Sequence, residues 1–342
     1  MELFMNVGIG VGQRRASLVL LALNNAPLGL FLAVLAGFGI AAPGFLALAN
    51  LRNILIQASS TAVVATGMTF VLLTAGVDLA VGSVMFVAAA AAGKLLLGAG
   101  WPVPGVLAVM LAVGALGGLL NAFLITRLGI IAFIATLGTQ YAERGVGLWM
   151  TQTRAMNLPE SFTPLASAQL LGVPLPLIVF AVVVAVSQWV LARTPFGRQV
   201  YAVGQDAAAA RQAGVNVRAT LTAVYTICGV CAALGGAIAL AQIGAVAPTF
   251  GTNKEFAAIA AAVLGGTSLY GGRGTVFPGT VLGAVLIQSV ENGLVVRNAN
   301  PYLYPLVTSA IIFAAVLLDS LRSRLLARLG RRRIRNDSPK NP

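Results

Sequence analysis

The chain has 342 residues and a net charge of +13, with 58% hydrophobic and 9% charged residues. Soluble domains carry about 25% charged residues, so this composition excludes an ordinary soluble globular protein. Charge-free stretches such as residues 16–51 and 219–253 exceed the ~20 residues that cross a hydrocarbon layer. The sequence therefore predicts an all-α, polytopic membrane protein.

The apolar stretches predict about ten membrane-spanning helices. In chain order they cover residues 28–48, 54–74, 83–99, 105–126, 131–150, 176–192, 219–242, 256–270, 275–296 and 303–320. The pair Arg14-Arg15 resembles a twin-arginine export signal, but because further spans follow, we interpret it as an orientation anchor with the first span retained. An N-terminal cytoplasmic segment (1–27) thus precedes a transmembrane domain (28–320) and a basic tail (321–342).

The first interruption of an apolar stretch is residues 76–83, which contain Asp78. A carboxylate at the centre of a membrane helix costs about 2.5–3.5 kcal/mol, so its presence needs a reason. One interpretation is that Asp78 caps the helix that follows, near the cytoplasmic surface. The other is a direct role in transport or gating.

Two asparagines lie inside apolar spans, Asn121 and Asn292. An asparagine there usually hydrogen-bonds a neighbouring helix, although its amide can also bind a sugar hydroxyl, and both interpretations stay open. Glu143 and Arg144 are adjacent in the span 131–150. Adjacent helical residues do not face each other, so we expect them to pair with other spans or to reach the membrane surface.

The longest polar interval between spans is residues 193–218, which carry four arginines and one acid. An excess of arginine places this interval on the cytoplasmic side. Within it, Asp206–Ala213 predicts a short alanine-rich helix with Asp206 as N-cap and Gly214 as its stop. A short rigid helix between two spans can transmit force from a soluble partner.

Two further groups lie in and after the span 219–242. Cys228 and Cys231 form a Cys-x-x-Cys pattern inside the apolar stretch, where we interpret them as small packing residues because a redox motif needs an exposed thiolate. Gln242, Asn253 and Glu255 cluster near the predicted outer face. They are expected to form a solvated loop or, alternatively, to line an entrance.

A second interruption, residues 265–274, shares the pattern Gly-x-x-Leu-x-x-Gly with residues 76–83. The short match suggests an internal duplication. Broken helices at membrane depth are tolerated where the freed backbone lines a cavity or packs in protein. We therefore place Gly266, Ser268 and Gly272, together with Asp78, Asn121 and Asn292, in a candidate translocation pathway.

The C-terminal tail contains seven arginines between Arg322 and Arg335. Anionic lipids attract such residues by about 1 kcal/mol each, so we predict contact with membrane lipids and not with nucleic acid. The tail also places the C-terminus in the cytoplasm.

Motifs for catalysis are missing from the sequence: it contains no Gly-x-x-x-x-Gly-Lys-Ser/Thr, Gly-x-Ser-x-Gly or His-Glu-x-x-His pattern and no histidine. We expect no catalytic residue, no metal and no cofactor held by this chain. An ion-coupled carrier for a small polar solute is the alternative, and it would use intramembrane carboxylates such as Asp78, Glu143 and Glu291. An intramembrane enzyme would need a convergent nucleophile and base, which the sequence does not offer.

Five motifs follow one another along the chain, at residues 66–83, 133–139, 196–217, 257–275 and 292–294. In this order they resemble the permease subunits of bacterial ATP-binding-cassette importers for sugars, the ribose permease group. The resemblance runs from about Asn53 to Asp319.

This resemblance implies a dimer of permeases in the bacterial inner membrane, formed with a second copy or a related chain. It also implies a cytoplasmic subunit that binds the ATP and a periplasmic sugar-binding protein that delivers a ribose-like monosaccharide. The coupling residues that it implies are Gly197, Arg198, Gly204, Ala208, Ala209, Ala210, Arg211 and Gly214. The sequence does not name the sugar.

The chain departs from the family pattern at two places. The glutamate that leads the Ala-Ala-Gly signature is absent before Ala208. In Lys254–Ala258, Ala257 replaces the aspartate of the family's Glu-Leu-Asp-Ala, while Glu255 is kept. A polar role carried over from the family does not extend to position 257.

Overall fold

The computed structural model describes residues 26–300 and residues 302–304, 306, 307, 309, 310, 313 and 317. The described chain is predominantly helical, which confirms the predicted fold class. The Arg14-Arg15 anchor, most of the span 303–320 and the basic tail lie outside the described residues, so the predicted positions of both termini stay predictions.

Eleven α-helices follow one another in the described chain. They are α1 (Ala26–Ala41), α2 (Leu48–Leu73), α3 (Val81–Gly98), α4 (Val103–Thr126), α5 (Ala132–Thr151), α6 (Leu175–Arg193), α7 (Pro195–Gln205), α8 (Ala207–Gln212), α9 (Val217–Ile243), α10 (Lys254–Leu264) and α11 (Val281–Val296). A π-helical turn, Val276–Thr280, precedes α11. Within the described residues, six helices are long and apolar enough to cross a membrane, namely α2, α3, α4, α6, α9 and α11 with its turn.

Two predicted spans end earlier than expected. The span 28–48 stops as α1 at Ala41, because Pro43 and Gly44 (φ +82°) form a turn before α2. The span 256–270 stops as α10 at Leu264, because Gly266 adopts φ +92°, a left-handed conformation that glycine adopts without steric cost. The total of ten crossings stays a prediction.

Four short strands lie in the loops that connect α5 to α6 and α9 to α10. β1 (Met156–Asn157) pairs antiparallel with β4 (Ala245–Val246), and β2 (Gln169–Leu170) pairs with β3 (Val173–Pro174). A 3-10 turn, Thr163–Ala166, lies between β1 and β2. The loop that connects α5 to α6 is therefore ordered by backbone pairing.

Glycines set the packing of α9 against its neighbours. A Cβ added to Gly229 of α9 would overlap the carbonyl oxygen of Gly114 on α4, and a Cβ added to Gly114 would overlap that of Gly229. Against α2, a Cβ on Gly67 would lie 2.7 Å from the Cβ of Cys231. Small residues let backbones approach where lipid offers no hydrophobic drive. Both cysteines are free and buried, as expected of packing residues.

Candidate functional site

The polar interval after α6 folds into two helices, where the sequence predicted only the second. α7 begins at Pro195, and the Thr194 hydroxyl accepts a hydrogen bond from the Gly197 backbone N–H (3.1 Å), which is a side-chain N-cap. Val200, Val203 and Gly204 are buried and Arg198 is exposed. α7 therefore lies with one face on the transmembrane helices and the other face toward the solvent.

α8 is the short helix that the sequence predicted, with its bounds one residue inside the expected ones. Asp206 Oδ1 accepts hydrogen bonds from the backbone N–H groups of Ala208 (2.8 Å) and Ala209 (3.0 Å). Gly214 follows the helix with φ +85°. The predicted N-cap and stop are both confirmed.

One alanine anchors α8 to the rest of the chain. Ala210 is buried in a small apolar cluster with Val203 of α7 and Val217 of α9. The other residues assigned to coupling in this helix and its turn are exposed to solvent, namely Ala208, Ala209, Arg211 and Gly214. They form a small, mostly apolar surface edged by arginine, which we call the α8 surface.

Replacing Asp206 with alanine is expected to loosen α8 without changing its exposed side chains. Loss of an N-cap costs about 1 kcal/mol, so amide hydrogen exchange in residues 207–214 should become roughly fivefold faster. Hydrogen-exchange mass spectrometry of the purified protein measures this rate. Asp206→Asn keeps a capping acceptor and should exchange like the wild type, and equal acceleration in both variants would contradict the capping role.

The end of α7 meets both interrupted segments, at a contact that we call the junction: Leu73, Tyr201, Gly204, Gly271 and Gly272. The Gly272 backbone N–H donates a hydrogen bond to the Leu73 carbonyl oxygen (2.9 Å). A Cβ added to Gly204 would overlap that same carbonyl oxygen and lie 2.7 Å from the Gly272 nitrogen. The backbones of α7, of the α2–α3 break and of the α10–α11 loop therefore touch at one place.

Tyr201 adds a side-chain link from α7 to this loop. Its hydroxyl donates a hydrogen bond to the Gly274 carbonyl oxygen (2.8 Å). Partial burial raises the pKa of the Tyr201 phenol above its usual range, so the hydroxyl stays protonated and remains a donor.

The three predicted pathway residues of the second interruption lie in the loop between α10 and α11. Ser268 is a turn residue, because its N–H donates to the Arg273 carbonyl oxygen (2.9 Å) and its hydroxyl accepts from the Tyr270 N–H (3.2 Å). Gly266 and Gly272 adopt positive φ values. The structure therefore assigns these residues to the loop that contacts α7, and their role in a pathway stays a prediction.

Asp78 is held by protein donors in the first break. Its Oδ1 accepts from the Ala80 backbone N–H (2.9 Å) and from Asn121 Nδ2 on α4 (3.2 Å), and Asn121 Oδ1 accepts from the Thr139 hydroxyl on α5 (2.6 Å). Asp78 is only 2% exposed. It joins the break to two helices. Its backbone partner is Ala80, the N-cap residue of α3, and the helix itself has no side-chain cap. A gating role stays a prediction.

The N-termini of α3 and α10 lie against each other in the interior of the protein. A Cβ added to Gly82, at the start of α3, would overlap the carbonyl oxygen of Gly251, just before α10, and would lie 2.5 Å from Glu255 Oε2. Glu255 is 3% exposed, so the expectation that it belongs to a solvated loop is wrong. The N-termini of both helices carry a partial positive charge, and they face Glu255, whose Oε2 has no hydrogen-bond partner among the described residues.

α5 supplies polar partners to this contact. Gln140 Nε2 donates to Glu255 Oε1 (2.9 Å), and Glu143 Oε2 accepts from the Ser83 hydroxyl (2.7 Å). Arg144 donates to the Phe250 carbonyl oxygen (2.6 Å). Glu143 and Arg144 thus bond with other elements, as predicted, and they do not bond with each other.

A second set of polar side chains lines the face shared by α2, α10 and α11. Gln288 Nε2 donates to Gln57 Oε1 (2.9 Å), and Lys254 Nζ donates to the Thr61 hydroxyl (3.3 Å). Glu291 lies close enough to Lys254 for their charges to attract. We call these five residues, Gln57, Thr61, Lys254, Gln288 and Glu291, the polar seam.

Asn292 lies at the end of this face that is farther from α7. Its Oδ1 accepts from Asn50 Nδ2 (2.8 Å), and its side chain is 6% exposed. This contact is the hydrogen bond to a neighbouring helix, which was one of the two interpretations of Asn292. Gln242 also bonds inward, donating to the Ile56 carbonyl oxygen (2.8 Å), while Asn253 is exposed.

The polar seam was not predicted from the sequence, although polar residues recur at helical spacings on both α2 and α11. Asn50, Gln57 and Thr61 recur on α2 at spacings of seven and four residues, and Gln288, Glu291 and Asn292 recur on α11 at three and four. Such spacings place side chains on one helix face. The partnership between the two faces required the tertiary structure.

Comparison with known proteins gives one matching family. Its model, described as "branched-chain amino acid transport system / permease component", matches residues 50–316, which is well over half of the chain. No solved structure matches.

Curated relatives cover most of the chain. The ribose import permease protein of Escherichia coli (strain K12) is 38% identical over 285 residues, 81% of this chain and 88% of that protein. The D-allose transport system permease protein of the same organism is 34% identical over 294 residues, 85% of this chain and 90% of its own. An autoinducer 2 import system permease protein of Enterobacter sp. (strain 638) is 37% identical over 311 residues, 90% of both chains.

Proposed function

Because this chain belongs to the family of branched-chain amino acid transport system permease components, we propose that it is the membrane permease subunit of an ATP-binding-cassette importer. Two of the relatives are named for the import of ribose and of D-allose. We therefore propose a monosaccharide as the solute. The chain forms the translocation pathway, and a partner subunit binds and hydrolyses the ATP.

The junction is the observation that carries this proposal. The α8 surface is exposed, so a cytoplasmic ATP-binding subunit can dock on it. α8 is anchored to α7 through Ala210 and Val203, and α7 contacts Leu73 and Gly272 by backbone. Movement of the docked subunit is therefore passed to the ends of α2 and of the α10–α11 loop.

Close packing is what makes this transmission effective. Gly204 contacts the backbones of Leu73 and Gly272 directly, so no flexible side chain lies between them to absorb the movement. Packed interfaces of this kind shift between discrete arrangements. Tyr201 ties α7 to the α10–α11 loop, so the loop follows the helix. Alternating access then results from the two interrupted segments moving together with α7.

The pathway requires further subunits. A periplasmic binding protein delivers the sugar to the end opposite α8, and a second permease, identical or related, completes the membrane dimer in the bacterial inner membrane. α2, α3 and α9 are largely buried within one chain, which favours a pathway along an outer face of the helices.

Site-directed crosslinking tests the docking of the ATP-binding subunit. In the assembled importer, a thiol-reactive crosslinker on Ala209→Cys is expected to capture the nucleotide-hydrolysing subunit. Leu171→Cys, at a residue 96% exposed in the loop at the opposite end, is the matched control and should capture none. Capture from position 171 and none from position 209 would contradict the proposed orientation.

An uptake assay separates the proposal from its alternative. Uptake that does not depend on ATP and that an uncoupler abolishes would favour the ion-coupled carrier.

A further inference from the structure

The Thr61–Lys254 contact of the polar seam lies near the middle of α2, a membrane-length helix. Thr61, which accepts from Lys254, is 13 residues from the start of α2 at Leu48 and 12 from its end at Leu73. At 1.5 Å per residue, either end of α2 is about 20 Å away. The Lys254 ammonium is therefore held at a depth where a lipid-exposed side chain would meet hydrocarbon.

Lipid is an unsuitable neighbour for this face. Gln57 is exposed, and Lys254, Gln288 and Glu291 are half-buried. Placing a lysine at the centre of a membrane helix costs about 2.5–3.5 kcal/mol, and ionisable residues at that depth usually face protein or a water-filled cavity. The exposed parts of the seam therefore face water or another part of the protein.

Other exposed faces of the chain differ in chemistry. Leu116 on α4, Phe133 on α5 and Val186 on α6 are all more than half exposed. These apolar faces suit contact with lipid, whereas the polar seam does not. The contrast separates a lipid-facing side from a polar side.

We propose that the polar seam lines the solute pathway and binds the hydroxyl groups of the passing sugar. This inference rests on the proposed function. Each sugar hydroxyl is both a donor and an acceptor, and the seam offers two amides and a hydroxyl that do both, a carboxylate that accepts and an ammonium that donates. Gln57 now bonds with Gln288, and Thr61 with Lys254, so a sugar with several hydroxyl groups can replace both members of a pair as partners.

Cysteine accessibility tests whether water reaches the seam. In right-side-out membrane vesicles that contain the assembled importer, the membrane-impermeant reagent 2-sulfonatoethyl methanethiosulfonate should label Gln57→Cys. Leu116→Cys is the control at similar depth on the apolar side and should be labelled at least tenfold more slowly. Equal rates at both positions, or no labelling at position 57, would overturn the proposal, and the unsubstituted chain gives the background from its buried cysteines.

Uptake by the reconstituted importer tests sugar binding, with D-ribose and D-allose as probes. Gln57→Leu removes one hydrogen bond, and Glu291→Gln replaces a charge-assisted acceptor with a weaker neutral one, so each is expected to raise the KM for uptake about three- to tenfold. Gln188→Leu is the matched control, because Gln188 on α6 also makes one hydrogen bond, to the Phe277 N–H (3.0 Å). It should leave the KM unchanged.

The two proposals fail in different ways. If the wild-type importer takes up neither sugar with ATP, the proposed solute class fails while the labelling result still stands. If the wild type transports but the seam variants and the control have the same KM, the seam does not bind the sugar. Protection of Gln57→Cys from labelling by excess transported sugar would support the seam directly, and it does not depend on how well the leucine and glutamine variants fold.

Discussion

Gly204→Val is expected to reduce ATP-driven sugar uptake about tenfold to one-hundredfold. The new Cβ would overlap the Leu73 carbonyl oxygen and press on the Gly272 nitrogen, and neither backbone atom can rotate away. Overpacking of this kind costs about 1–3 kcal/mol, and each 1.36 kcal/mol on a barrier is a factor of ten in rate. Uptake into proteoliposomes that contain the complete importer measures the loss.

A coupling defect is distinguished from a folding defect by two further measurements. The variant is expected to reach the membrane in normal amounts and to retain ATP hydrolysis by the partner subunit, because the α8 surface is unchanged. Gly98→Val is the matched control, since a Cβ there meets nothing within 4 Å, and its uptake should equal that of the wild type. Normal uptake by Gly204→Val would show that the junction does not transmit movement.

Gly229→Leu is expected to cause a large loss of stability. The side chain would enter the backbone contact between α9 and α4, where the carbonyl oxygen of Gly114 already occupies the position of its Cβ. We expect a cost of about 3 kcal/mol, which corresponds to a fall of roughly 5–10 °C in the Tm of the detergent-purified protein. A fluorescence-based thermal unfolding assay provides the measurement.

The control for this stability effect is Gly145→Leu on α5. A Cβ at Gly145 has no heavy atom within 4 Å, so the same substitution on an open helix face should change the Tm by less than about 2 °C, as for surface substitutions in general. If both variants lost the same stability, the cause would be leucine in place of glycine and not the helix contact. If neither did, the close approach of α4 and α9 would not matter for stability.

The sequence was sufficient to predict elements whose ends are marked by local chemistry. Asp206 and Gly214 bound α8 because an N-cap and a left-handed stop depend on neighbouring backbone only. The transmembrane class and the break at Asp78 follow from apolar length and from the cost of a buried charge. The functional class followed from ordered motifs, and the family match and the relatives support it.

The remaining features depend on contacts between residues far apart in the chain. Gly204 was predicted to be a coupling residue, but its contacts with Leu73 and Gly272 were not, because both residues are more than 60 positions away from it along the chain. Glu255 was expected in a solvated loop because its neighbours are polar, whereas the Gly82–Gly251 contact buries it. The seam joins Gln57 to Gln288, and no local pattern links them.

The short length of α10 changes the barrier that a polar solute meets. Its 11 residues extend about 16 Å, close to half of a hydrocarbon layer about 30 Å thick. Gly251, just before α10, contacts Gly82 in the interior of the protein, and the Lys254 side chain contacts Thr61 in the middle of α2. α10 therefore begins about halfway along α2, and the chain that leads from α9 to this point is not helical. On the proposed pathway, a polar solute that has reached Lys254 has about half of the usual hydrocarbon thickness left to cross, so its electrostatic self-energy rises only over that remaining half.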